Sequence, residues 1–152
     1  LYPEGPSSMV TSLSDFFQRG RISCDVSDMI IKDQFKKLVW NVPFNPLSVI
    51  YQQTTNLLLD TPEKVARVRL LMQEVLHIAK AEGYVILEDL IDQMIQDTQV
   101  MPPYKTSMLI DYERGNPLEI DTILGEPIRM AKKRGVEVPE MERVFGELMG
   151  VG

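Results

Sequence analysis

The chain has a single cysteine, Cys24, and a single histidine, His77. One thiol closes no internal disulfide, so the sequence predicts a reducing, cytoplasmic setting. One His and one Cys far apart form no ligand set, and no metal is expected. No apolar run approaches the roughly 18 residues that mark a membrane helix, and no signal-peptide pattern is present. Cations are the minority, with 16 Lys and Arg against 22 Asp and Glu and a net charge of −6. The missing basic stripe argues against a nucleic-acid binder. It leaves an anionic small ligand open, because one well-placed Lys sets the local potential more than the distant total does. The chain also lacks a Gly-x-Gly-x-x-Gly turn after a strand, so it has no dinucleotide fingerprint of its own.

What is present is globular composition: 152 residues, 44% hydrophobic and 25% charged. That is one domain's length, enough to hide roughly 68–70% of the unfolded surface. Residues 1–12 hold two Pro, one Gly and four Ser or Thr and read as a linker. The opening Leu1 predicts a piece cut from a longer chain.

Helical periodicity dominates the rest. A short helix is expected from Ser12 or Ser14 to Arg19, stopped by Gly20. A second begins near Ser27 as N-cap, and Pro43 and Pro46 should kink or break it. The third is the clearest. Thr61 caps it, Pro62 opens it, Val65, Val68, Met72, Val75, Leu76 and Ala79 form one stripe, and Gly83 ends it. Further helices are expected at 87–96, 106–114, 118–133 and 139–148. With no strand pattern, the expected fold is a single all-α domain, residues 13–152, of about seven helices.

Lys37, Asn41 and Asn45 fall at i, i+4 and i+8, on one helical face. That polar row sits in a segment otherwise rich in Leu, Val, Trp and Phe, and could hold a small oxyanion. Ideal rise separates its ends by roughly 12 Å, so bending at the prolines would help it close on one ligand. The plain alternative is a solvated face. Thr106-Ser107-Met108 followed by Glu119 is a second candidate. Taken alone it reads as an N-cap and a dipole-complementing acid.

Together these segments resemble the C-terminal domain of ketopantoate reductase (2-dehydropantoate 2-reductase). The family's Lys-x3-Asn-x3-Asn-Pro-Leu appears as Lys37 through Leu47. Its Glu before an Ala-x-x-x-Gly step appears as Glu74, Ala79 and Gly83. Its Ser-Met-x-x-Asp appears as Ser107, Met108 and Asp111, followed by Glu119-Ile120-Asp121 and Gly125. Gly135 to Pro139 is similar to its closing turn. The resemblance runs from Leu13 to Leu148.

It implies a helical domain of the 6-phosphogluconate dehydrogenase-like superfamily. Residues 1–12 would then join it to a missing N-terminal Rossmann domain. It also implies NADPH as cofactor, a small 2-keto acid as substrate and pantothenate biosynthesis as the setting. By resemblance, Lys37 is the proton donor and Glu119 its partner carboxylate. Glu119 either orients Lys37 or touches substrate, and it is the one group here that could also reach the cofactor. Asn41, Asn45 and Ser107 bind substrate. The isolated piece would be inactive.

Plainer readings fit the remaining residues. His77 flanks a helix, Lys132-Lys133-Arg134 complements a helix C-terminus, and Trp40 packs on a face other than that of Lys37 and Asn41. Two alternatives stand beside the reductase. One is a related 2-keto-acid or hydroxy-acid dehydrogenase of the hydroxyisobutyrate or opine type, although Ile30 and Asp33 stand where the former has glycines. The other is a structural module for homodimerisation, which exposed apolar stripes over Leu47–Leu59 would favour.

Overall fold

The structure, a computed structural model, describes residues 7–150. These residues divide into two compact units, with the boundary between Gln34 and Phe35. In the first, α1 spans Ser8–Arg19, capped by the Ser7 side chain, which accepts from the Val10 N–H. The helix therefore starts four residues before the expected Ser12, inside the segment read as linker. Ser7 offers a cap that the Pro and Gly content had obscured. Residues 1–6 lie outside the described residues. After Gly20 the chain turns through Arg21 at φ 59°. Ser14 Oγ and Gln18 Nε2 both donate to the Cys24 carbonyl, at 3.0 and 3.1 Å.

The second helix, α2, spans Ile30–Tyr51, and the unit boundary falls within it. It starts three residues after Ser27, whose hydroxyl accepts from the Met29 N–H at 3.0 Å and donates to Asp33. It is not broken at Pro43 or Pro46. Each proline costs a helix interior about 3 kcal/mol. Val39, Val42, Phe44, Leu47 and Val49 are all 0% exposed, and burying each returns roughly 1.5–3 kcal/mol. Tertiary burial outweighs the two breaks.

The remaining elements are a 3-10 turn Thr55–Leu59, α3 Pro62–Ala81, α4 Asp89–Val100, α5 Ser107–Glu113, a π turn Asp121–Gly125, α6 Glu126–Arg134 and α7 Pro139–Met149. Seven α-helices with no strand among the described residues make the all-α class plain. The helix expected at 118–133 instead opens with the π turn, and that expected at 87–96 lies two to four residues later. Helix α3 is the hub, packing on α4, α6, α7 and the 3-10 turn. Thr61 caps it as expected, accepting from Lys64 N. Leu47, Val49, Leu58 and Leu59 are buried, and Leu57, at 40% exposed, is the one exposed large apolar residue of the 47–59 segment. No helix among the described residues is long and apolar enough to cross a membrane.

One anchor was not expected. Helix α7 begins with Val138 and Pro139, neither of which supplies a side-chain cap. Glu74, 7% exposed on α3, supplies it from a distance: its two oxygens accept the Glu140 and Met141 N–H groups, each at 2.8 Å. Burial raises the Glu74 carboxyl above the usual range, and these two hydrogen bonds pull it partly back. Glu140 then pairs with Arg67 at 2.5 Å, which also reaches Glu147 at 2.7 Å.

Candidate functional site

Lys37, Asn41 and Asn45 reach one cleft from α2. Unbroken 3.6-residue periodicity keeps them in a row. Across from them, Thr106 caps α5 and sets Ser107 as its first residue. Glu119 precedes the π turn, its carbonyl accepting from Ile123 N at 3.1 Å. All five residues singled out in the sequence line this cleft of about 370 Å³. They are graded in depth. Lys37, Ser107 and Glu119 are exposed, Asn41 is half-buried, and Asn45 is buried at 5%.

These five side chains make no hydrogen bond or ion pair to any described residue. Asn45 is the deepest of them, but its carboxamide is not sealed off: the one fully enclosed side-chain polar atom without a partner among the described residues is Thr55 Oγ1, so the Asn45 amide opens onto the cleft. Lys37 and Glu119 share the cleft without touching, their charged atoms more than the 4.0 Å of an ion pair apart. The cleft thus offers one ammonium, one carboxylate, two carboxamides and a hydroxyl, all uncommitted. This set suits a small ligand with a carboxylate, a carbonyl and a hydroxyl. Among the described residues, no group of His, Cys, Asp or Glu is arranged to hold a metal.

Sequence reasoning placed one residue too narrowly here and missed others. Trp40 packs as expected, on Phe44 and Thr98, but it is not confined to a separate face: it also lines the cleft with Lys37 and Asn41. A bulky ring one residue from Asn41 extends beyond its own helical stripe. Tyr104, Thr122 and Ile123 line the cleft too, and they carried no pattern of their own. Thr106 lines it as well and is hydrogen-bonded to Ser48, and both are 0% exposed. Of the residues read more plainly, His77 is exposed on α3, as a helix flank should be. Arg134, at the end of α6, forks onto Glu82 at 2.8 and 2.9 Å.

Comparison with known proteins gives a concordant picture. The family model described as "Ketopantoate reductase PanE/ApbA C terminal" matches residues 29–151. A 2-dehydropantoate 2-reductase of Nostoc is 36% identical over 152 residues, covering 97% of this chain and 48% of that protein. The crystal structure of a 2-dehydropantoate 2-reductase from Methylococcus capsulatus superposes with a TM-score of 0.91 at 38% identity, covering 99% of this chain and 48% of that one. The corresponding structure from Geobacter metallireducens gives a TM-score of 0.94 at 32% identity, covering 99% and 51%. The chain thus spans about half the length of these relatives.

Proposed function

The chain belongs to the ketopantoate reductase PanE/ApbA C-terminal family, and we propose that it is the substrate-side domain of an NADPH-dependent 2-dehydropantoate 2-reductase. The observation that carries this reading is the convergence of Lys37, Asn41, Asn45, Ser107 and Glu119, all without protein partners, on one cleft. In the full-length protein an N-terminal nucleotide-binding domain would complete the site. The cleft has no phosphate-cradling glycine turn, and Lys37 is its one cation among the described lining residues, so this half holds little of the dinucleotide. When bound, NADPH supplies the hydride.

The chain's own groups do the rest. As a ketone becomes an alcohol, negative charge grows on its oxygen. Lys37, exposed in the lining of the cleft, donates a proton there, a role worth about 10²–10⁴-fold. Asn41 and Asn45 donate amide hydrogens to the carboxylate without competing for that proton. Ser107 and Glu119 take the substrate hydroxyl, and Glu119 also attracts the Lys37 ammonium across the ligand. Separation of the two charges in the cleft favours this role for Glu119 over a direct clamp on Lys37. The reading carries with it a cytoplasmic setting, a place in pantothenate biosynthesis and a homodimer as a candidate assembly.

The test is to assay NADPH oxidation with ketopantoate in the full-length chain and in the 152-residue domain alone. Turnover is expected in the first and none in the second. Absence of turnover in the full-length chain rejects the reductase reading. Turnover in the isolated domain rejects the two-domain account.

A further inference from the structure

The cleft is lined by two kinds of side chain. Lys37, the two Asn residues, Ser107 and Glu119 are polar, whereas Leu38 and Ile123 are aliphatic and Trp40 and Tyr104 are aromatic. A 2-keto acid has matching halves. Its carboxylate and carbonyl need donors and charge, and the substituent on its C3 carbon needs a surface that excludes water.

Trp40 is held firmly within that lining. Its Nε1–H donates to Thr98 Oγ1 at 3.1 Å. Thr98 is 1% exposed and gives its own proton to the Met94 carbonyl at 2.7 Å, which leaves its lone pairs for the indole. The ring stacks on Phe44, centroids 4.8 Å apart and planes at 27°, and Phe44 is 0% exposed. Tyr104 stands 6.4 Å from the indole at 56°, its carbonyl accepting from Thr55 N at 3.0 Å. A ring fixed along one edge by a hydrogen bond and over one face by stacking is preorganised.

Resting on the keto-acid reading above, we infer that Trp40, with Tyr104 beside it, is the specificity-determining wall of the cleft: it receives the C3 substituent of the substrate and favours branched substituents over a bare methyl. An apolar pocket discriminates about 10–200-fold per methylene gained or lost, so a wall of this kind sets a large part of substrate choice.

The experiment measures kcat/KM in the full-length chain, with NADPH, for ketopantoate, 3-methyl-2-oxobutanoate and pyruvate. The unaltered protein should prefer the two branched acids. Trp40→Val should lower the branched-to-pyruvate ratio about tenfold or more, and Tyr104→Ala should lower it less. Trp40→Phe keeps a ring over Phe44 and should stay closer to the original ratio. Tyr104 is 47% exposed, so Tyr104→Ala gives a folded readout even if Trp40→Val does not fold. A ratio unmoved in Tyr104→Ala and in every folded Trp40 variant overturns the inference. So does an unaltered protein that reduces pyruvate as well as the branched acids, an outcome that leaves the reductase reading intact. Reduction of none of the three acids removes both.

Discussion

Ser48 and Thr106 share a 2.6 Å hydrogen bond in the interior, 58 residues apart in sequence. The direction of that bond follows from its neighbours. Ser48 Oγ gives its one proton to the Asn45 carbonyl at 2.7 Å, so it must accept from Thr106. Thr106 Oγ1 in turn accepts the Leu109 N–H at 3.1 Å. The result is a one-way chain of hydroxyls joining the α2 turn that carries Asn45 to the cap that positions Ser107.

Ser48→Ala removes the one acceptor that the Thr106 hydroxyl has among the described residues, in a site with no exposure. An unsatisfied buried donor costs about 1–3 kcal/mol. The urea midpoint should fall correspondingly. In the full-length protein KM should rise more than kcat falls, because the groups displaced bind substrate and do not transfer the proton. A drop in kcat with KM unchanged would contradict this positioning role.

Lys37→Ala should lower kcat in the full-length protein by about 10²–10⁴-fold with little effect on stability, since the side chain is exposed and unpaired among the described residues. Steady-state kinetics alongside thermal unfolding separate the two effects. Unchanged turnover would remove Lys37 as the acid.

The row of residues in the candidate cleft was more legible in the sequence than the long-range contacts of the scaffold that holds it. Lys37, Asn41 and Asn45 repeat every four residues within a single helix, and such local periodicity survives folding unchanged. Thr61, Pro62 and Gly83 marked α3 for the same reason, each acting through backbone chemistry within a turn. What escaped notice depends on distant partners. Burial of Phe44 and Leu47 carries α2 through its prolines. Glu74 finds the α7 amides 66 and 67 residues away, and Trp40 finds Thr98 58 residues away. None of these pairings leaves a short-range trace.

Glu74 makes the fold pH-sensitive with a defined sign. Burial, the largest influence, raises its folded carboxyl above the ordinary range. The stability this group contributes is therefore complete below the ordinary carboxylate range and declines as pH rises through the raised folded value. Glu74→Gln does not titrate, but it turns an amide NH₂ toward one of the Glu140 and Met141 N–H groups and should cost about 1–3 kcal/mol. Unfolding free energies measured against pH should show the gap between the original and Glu74→Gln narrowing as pH rises across that window. A gap that widens would reverse the assignment.

Gly125 closes the π turn just after Glu119. A Cβ there would overlap Asp121 Oδ1 and stand 3.0 Å from its Cγ and 3.2 Å from Arg129 Nη1. That crowding is with a carboxylate gripped by Arg129 through two hydrogen bonds of 2.8 and 2.9 Å. The Arg129 hydrogen bonds hold the Asp121 carboxyl below its usual range, with burial opposing them. Gly125→Ala must push the carboxylate off the fork, since the backbone of a helical turn yields less readily than an exposed side chain. The Asp121 carboxyl should then titrate higher, back toward the ordinary range, as followed by side-chain NMR. Arg129→Gln should produce the same rise without touching Gly125. If Arg129→Gln raises the titration and Gly125→Ala does not, the turn has absorbed the methyl by moving its backbone. Because the Glu119 carbonyl bonds Ile123 N within the same turn, that outcome should appear in the full-length protein as a shift in substrate KM.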